Sequence, residues 1–336
     1  MIYPLTYTEG VERMNQLGRA RVPFLFVWDY ALRAPVVLPL EMIDASELCY
    51  QFNNRTNATA VQTFAEILPI FKKKPLTLEA YRQKFEKVVA HIKRGDSFLA
   101  NLSVCTPITT NLDLKDIFLT SQAKYKLWWR NHFVCFSPEV FVQVRGNRIA
   151  SFPMKGTIDA AVPDAAARIL ADVKEAAEHA TIVDLIRNDL SMVATKVWVE
   201  RYRYLDRLPT NQKTLLQVSS EVAGLLPDTW RDYLGDWFVK LLPAGSICGA
   251  PKPRTLEIIQ EAEGYERGYY TGVAGIFDGE NLDSGVLIRF VEQVDNQMFF
   301  KSGGGITARS EATAEYQEVI DKIYLPICNS SLMVIR

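Results

Sequence analysis

Cysteine is scarce in this 336-residue chain, and the five present (Cys49, Cys105, Cys135, Cys248, Cys328) are odd in number with no CxxC pair. That excludes a disulfide framework and a paired-cysteine zinc site, and it suits a reducing cytosol. Histidine is scarcer, with three residues. His91 and His132 have no acidic or cysteine neighbour at ligand spacing and read as exposed or structurally bonded, while His179, beside Glu178, reads as a packing or supporting residue. Neither charge sign is in surplus: 38 Lys and Arg face 39 Asp and Glu, a formal net charge of −1. With no long-range field to gather a polyanion, nucleic acid is not an expected partner. No run of about 18 apolar residues occurs, and Glu9, Glu12 and Arg13 stand where a secretory leader needs its apolar stretch. The expectation is a soluble, cytoplasmic protein without a membrane partner. Repeats, low-complexity tracts and Gly/Ser linkers are also missing, so one domain over residues 1–336 is expected.

What is present is ordinary globular composition, 48% apolar and 23% charged. The segments FLFVWDY at 24–30 and VVLPLEMI at 36–43 make residues 1–75 β-rich, and the Lys72–Lys74 run reads as a solvated loop. The spacing predicts a helix over 77–94 ending at Gly95, then a hairpin with FVCF and VFVQV on one side, RIASF on the other and the turn at Gly146 and Asn147. Pro163 and Asp164 start one helix whose pattern runs towards 186. A meander follows from YYTGVAGIF, GVLIRFVEQV and QMFFK, and Ser310 is placed to cap a last helix through about 323. Trp128 and Trp129 beside Arg130 read either as an aromatic-basic surface or as a half-buried lead into the hairpin. Strands and helices arrive in blocks, which predicts an α+β fold with a largely antiparallel sheet.

Glu175 and Glu178 lie three residues apart on one predicted helix, and Glu315 and Glu318 on another. Each pair shares a helical face, and all-oxygen clusters suit Mg²⁺, although solvent-facing charge explains any single pair as well. KSGGG at 301–305 reads as a flexible turn or as a place where backbone amides approach an anion. GSICGAPKPR at 245–254 lacks the gap and the Lys-Ser/Thr ending of a phosphate loop, so ATP binding is not expected. Glu139 and Lys155 lie nearly symmetrically about the hairpin turn and are expected close across its strands; a one-residue shift of register decides whether they share a face.

PMKGT (153–157), EHATIVDLIRND (178–189), GSICGAPKPR (245–254), YTGVAGIF (270–277), IRF (288–290) and SGGGITARSEATAEYQEVIDK (302–322) together resemble the chorismate-binding enzymes. The likeness is dense from about 78 to 323, so residues 76–330 read as the catalytic core and 1–75 as a shortened version of the family's N-terminal region. It implies a sandwich of two largely antiparallel sheets with helices on the outer faces. The family includes anthranilate, aminodeoxychorismate, isochorismate and salicylate synthases, and the middle residue of P-x-x-G-T separates their chemistries. Lys155 at that point implies the reaction of aminodeoxychorismate synthase component I: chorismate and ammonia give 4-amino-4-deoxychorismate, on the route to p-aminobenzoate and folate. The implied nucleophile is Lys155, attacking C2 as an uncharged amine, and the implied general acid is Glu139. The resemblance further implies Mg²⁺ on Glu178 and Glu318, with Glu175 and Glu315 as water-mediated or supporting ligands. Substrate carboxylates would be gripped by Arg289, the amides of Gly304 and Gly305, and Lys322, with Thr157 as a hydrogen-bond donor. Nothing in the chain resembles a glutaminase, so ammonia is expected from a separate glutamine amidotransferase subunit.

Three positions depart from the family pattern: Leu216 where His is usual, Cys248 where Thr is common and Ile276 where Tyr is common. They imply altered contacts near the ring and keep open a catalytically silent, chorismate-binding or partner-binding member. Anthranilate synthase component I is the other alternative, against which Lys155 argues.

Overall fold

The computed structural model describes residues 2–58, 69–209 and 214–325. Alternation within a single strand shows how the layers form. Along Phe24–Trp28 all five residues are buried. Leu25 and Val27 pack against Tyr50, Phe52, Leu127 and Trp129 of a second sheet. Phe24, Phe26 and Trp28 turn the other way, onto Met14, Leu17, Leu234 and Phe238 of covering helices. Buried on both faces, the strand is continuous in hydrophobicity and shows no polar alternation.

The first sheet has nine strands, running Met154–Asp159, Thr214–Leu225, Arg148–Ser151, Val140–Arg145, Leu282–Val286, Val273–Phe277, Phe24–Trp28 and Val36–Pro39, with Lys196–Pro209 also on Thr214–Leu225. The second, also nine-stranded, runs Gly249–Ala250, Leu99–Thr110, Gln297–Ile306, Phe290–Val294, Phe133–Ser137, Tyr125–Trp129, Leu48–Phe52 and Arg55–Thr56, with Phe71–Lys73 also on Leu99–Thr110. The strand pairings are antiparallel. Residues before 76 feed both sheets. Helix Leu114–Thr120 covers the outer face of the second sheet through Leu114, Ile117 and Phe118, which pack on Trp128, Val134 and Phe136. The two sheets flanked by helices are the α+β sandwich that the resemblance implies.

Two apolar runs that read as single segments switch sheets partway. FVCFSPEVFVQV leaves the second sheet at Ser137 and enters the first at Val140, and GVLIRFVEQV leaves the first at Val286 and enters the second at Phe290. The crossings touch: Phe136 N–H donates to Arg289 O at 3.1 Å, and Val286 N–H to Glu139 O at 3.1 Å. Arg289 makes its turn with φ 55°, a left-handed conformation that side-chain-bearing residues seldom adopt. The expected hairpin is therefore confined to Val140–Arg145 and Arg148–Ser151, and Phe133–Ser137 belongs elsewhere.

Other local expectations are corrected. A helix at Tyr7–Arg19 stands within the part read as β-rich, started by a capping box between Thr6 and Glu9. Lys72 and Lys73 lie in a short strand rather than a loop, and Lys73 Nζ bonds the Ile320 carbonyl at 2.7 Å. The helix expected from 164 towards 186 is two, Ala165–Ala171 and Val173–Ser191, because Asp172 is extended and caps the second through the Glu175 N–H. Ser310 does not cap the last helix, Ala312–Asp321; its hydroxyl accepts from Thr307 N–H at 3.1 Å within the preceding turn. The 77–94 helix stands as expected, as Leu78–Lys93 with Thr77 capping it. Trp128 and Trp129 are buried strand residues. Among the described residues, no helix is long and apolar enough to cross a membrane.

Candidate active site

A cavity of about 850 Å³ opens beside the two crossings and is lined by both sheets and by the helices that carry the paired carboxylates. Its size is that of a small-molecule site. Glu139, just past one crossing, forms part of one wall, where its Oε1 accepts a hydrogen bond from Ser246 Oγ at 2.6 Å. Burial pushes the Glu139 carboxyl above its ordinary range, and the Ser246 hydrogen bond and the charges of Arg289 and Lys322 only partly offset this. Arg289 lies at the other crossing with its Nε buried and unpartnered in the protein. A guanidinium N–H left without an acceptor invites an anion.

Lys155 lines the cavity from the strand Met154–Asp159. This strand pairs with Thr214–Leu225, not with the strand that follows Glu139, so the two residues are not cross-strand neighbours. They nonetheless line the same cavity. The register breaks between Met154 and Thr157, where Gly156 takes φ +85°, and a Cβ there would stand 2.8 Å from Glu175 Oε2. Glycine at the fourth place of PMKGT is thus required by conformation, while the contact is with the movable end of the Glu175 side chain. Lys155 Nζ lies 2.9 Å from Glu178 Oε2, while Lys174 Nζ reaches Glu178 Oε1 at 3.9 Å. Burial alone pulls the Lys155 amine down, but the bond to Glu178 and the nearby charges of Glu318 and Glu175 outweigh it, and its proton affinity is raised. Without ligand, position 155 therefore carries an ammonium rather than the uncharged amine that attack requires.

The carboxylates of the two helices converge on that ammonium. Burial raises Glu175 and Glu315, whereas in Glu318 the Lys322 and Lys155 charges overcome burial and hold the carboxyl below its usual range. Glu175 Oε2 is buried with no hydrogen-bond partner. Among the described residues no group of three His, Cys, Asp or Glu side chains is arranged to hold an ion by itself. Lys322 Nζ bonds Glu318 Oε1 at 2.7 Å and the Gly303 carbonyl at 2.8 Å.

The three glycines are neither turn nor loop: they continue the strand Gln297–Ile306 against Leu99–Thr110. Ser103 N–H and the Asn101 carbonyl bond away from this strand, to Glu263 and Arg267. Their partners Gly303 and Gly305 are therefore the non-hydrogen-bonded positions, with peptide groups turned to the open edge, while Gly304 opposite Leu102 belongs to the ladder. Thr157 lines the cavity and pairs with Gln217, which lines it too. Leu216 is buried and is not in the cavity wall, Ile276 lies in the core between the sheets, and Cys248 is buried with its Sγ 3.1 Å from the Ala244 carbonyl. None of the three departures lines the cavity. His179 is a supporting residue, its Nε2 2.7 Å from Ser220 Oγ.

Sequence reasoning assigned no part to Ser246 or Gln217. Gln217 had a usable signal, since strand alternation puts its neighbour Leu216 on the opposite face. Ser246 had only its place in a conspicuous run, and its contact with Glu139 spans 107 residues.

A family model described as chorismate binding enzyme matches residues 45–327. A Haemophilus influenzae protein named "Uncharacterized PabA-like protein" is 47% identical over 323 residues, covering 96% of this chain and 98% of that one. The aminodeoxychorismate synthase component 1 of Escherichia coli is 32% identical over 265 residues, covering 74% of this chain and 57% of that one. The crystal structure of anthranilate synthase component I from Streptococcus pneumoniae superposes with a TM-score of 0.64 at 28% identity, covering 76% of this chain and 58% of that one. With six motif blocks around one cavity and the family model spanning most of its length, the chain belongs to the chorismate-binding enzyme family.

Proposed function

We propose that the chain is an aminodeoxychorismate synthase component I, exchanging the 4-hydroxyl of chorismate for an amino group. The observation that carries this reading is an amine, Lys155, and a half-buried carboxyl of raised proton affinity, Glu139, on the walls of one cavity. Lys155 Nζ adds to C2 as the ring double bonds shift, and the C4–O bond breaks with a proton from Glu139, releasing water. Ammonia then adds at C4, the C2–N bond breaks, and Lys155 is regenerated. Before the attack Lys155 must lose a proton, and Glu178 Oε2 at 2.9 Å is an acceptor already in place. Arg289 Nε and the open edge at Gly303 and Gly305 offer donors for the substrate carboxylates, with Lys322 beside them.

The residues fit a hard divalent cation: the donors are carboxylate oxygens, and Glu175 Oε2 is buried without a partner. Glu178 and Glu318 would hold Mg²⁺, with Glu175 and Glu315 behind them and water or substrate completing the shell. When bound, the ion would supply positive charge that offsets a ring carboxylate. Ammonia would come from a glutamine amidotransferase partner.

Chromatographic identification of the product from purified chain, chorismate, Mg²⁺ and an ammonium salt tests the reading. The expected product is 4-amino-4-deoxychorismate. Anthranilate with pyruvate would overturn it in favour of amination at C2. Tight chorismate binding in calorimetry without turnover, even with an amidotransferase supplied, would overturn it in favour of a binding module.

A further inference from the structure

Ser246 is held more firmly than a cavity-wall serine requires. It sits in the short helix Gly245–Cys248, and the residues on either side of it are held by two separate ion pairs, one half-buried and one fully buried. Asp189 Oδ2 approaches Gly245 so closely that a Cβ there would stand 2.9 Å away, and the same oxygen is paired with Lys252 Nζ at 2.9 Å. Lys252 in turn bonds the Leu241 carbonyl at 3.0 Å. On the other side, Arg267 Nη1 donates to the Ile247 carbonyl at 3.0 Å, and Arg267 is itself locked to Glu263 at 2.6 Å, both side chains 1% exposed. Buried pairs of this kind cost desolvation and contribute little net stability, so their worth lies in the geometry they impose. Arg267 and Glu263 also hold Asn101, Ser103 and Thr271, so the helix that carries Ser246, whose hydroxyl meets Glu139, is tied into a wider buried network.

We propose that Ser246 is a positioning residue for Glu139: by donating to Oε1 at 2.6 Å it fixes the carboxyl rotamer and leaves Oε2 as the oxygen that carries and delivers the proton. This rests on the assignment of Glu139 as the acid. A bare carboxyl rotates about its last bond and presents either oxygen; one fixed acceptor removes that freedom. The charged and titratable groups that face Glu139 besides Ser246 are Arg289, Lys322 and the Tyr270 phenol. None of these takes the hydrogen-bonding place of Ser246 on Oε1.

The test compares Ser246→Ala, Ser246→Thr and Glu139→Gln in the full chain with Mg²⁺, chorismate and ammonia, at fixed free-ammonia concentration across pH. Ser246→Ala is expected to lower kcat by roughly 10- to 100-fold, with KM for chorismate within about twofold. Because the Ser246 bond stabilises the ionised carboxyl, its loss raises the proton affinity of Glu139, and the alkaline limb of the profile moves to higher pH. Ser246→Thr keeps the hydroxyl and restores both. Infrared titration of the Glu139 carboxyl, assigned by difference from Glu139→Gln, reads the same upward shift without turnover. Unchanged kcat and an unmoved carboxyl in Ser246→Ala, beside an inactive Glu139→Gln, would overturn the positioning role alone. Full activity in Glu139→Gln would overturn the acid assignment and this proposal with it.

Discussion

The two walls of the cavity use the same residue type to opposite ends. Glu139 stands at a crossing with one hydroxyl in hydrogen-bond contact, and burial favours its protonated form against the charges of Arg289 and Lys322. The Glu318 side chain, in the same cavity, is about half exposed (51%), and the ammonium groups of Lys322 and Lys155 hold its carboxyl below the usual range. Environment pushes apart the proton affinities of like groups in one site, and on the proposed function this would separate the acid, Glu139, from the counter-charge, Glu318. Lys155 belongs to the second wall and shares its charge balance.

The comparison breaks most completely at Lys155. Replacing it by Ala removes the nucleophile, and amination should fall by at least about a thousandfold, with no substrate adduct in intact-protein mass spectrometry. An undiminished adduct in that variant would sink the assignment. Glu139→Gln should lower kcat by roughly 10²- to 10⁴-fold with little change in KM. The sign of the pH effect follows from the raised proton affinity: the acid is present below its pKa and is lost as pH rises through it, so the wild type loses activity on the alkaline side and the variant's residual rate lacks that limb. Glu318→Gln should raise the Mg²⁺ concentration for half-maximal activity by at least roughly tenfold, and chelation should silence the wild type reversibly. An unchanged metal requirement would remove the carboxylate wall from the scheme. Lys174→Met sharpens the contrast from the other end. Its side chain is 57% exposed and 3.9 Å from Glu178, so steady-state rates should change by less than about twofold.

Much of the cavity could be read in the sequence because its residues sit in short local patterns. Glu175 and Glu178 share a face by helical spacing, as do Glu315 and Glu318, and both pairs reach the Lys155 neighbourhood. What escaped was non-local. Hydrophobic runs show that a segment is buried in a sheet but not in which sheet, so the switches near Glu139 and Arg289 were invisible, and with them the true partner of the Lys155 strand. The glycine triplet looked like a turn because its strand pairing depends on Leu99–Thr110, some two hundred residues earlier, rather than on local propensity. Asp172 could have been read as a cap that divides two helices, since Asp is favoured at that position. The Thr6 and Glu9 box was equally available for the first helix.

The left-handed Arg289, its unmatched Nε and the lone Glu175 Oε2 have a thermodynamic consequence. Both groups belong to residues of the cavity wall, where water or a ligand can reach them, and a buried polar atom that loses such a partner costs about 1–3 kcal/mol. On the proposed function, a dianionic substrate and a cation that satisfied these groups would bind the native state alone, and occupancy at a hundred times Kd would add about 2.7 kcal/mol. On the proposed function, substrate would also be a folding partner, and adding it should raise the melting temperature of the chain.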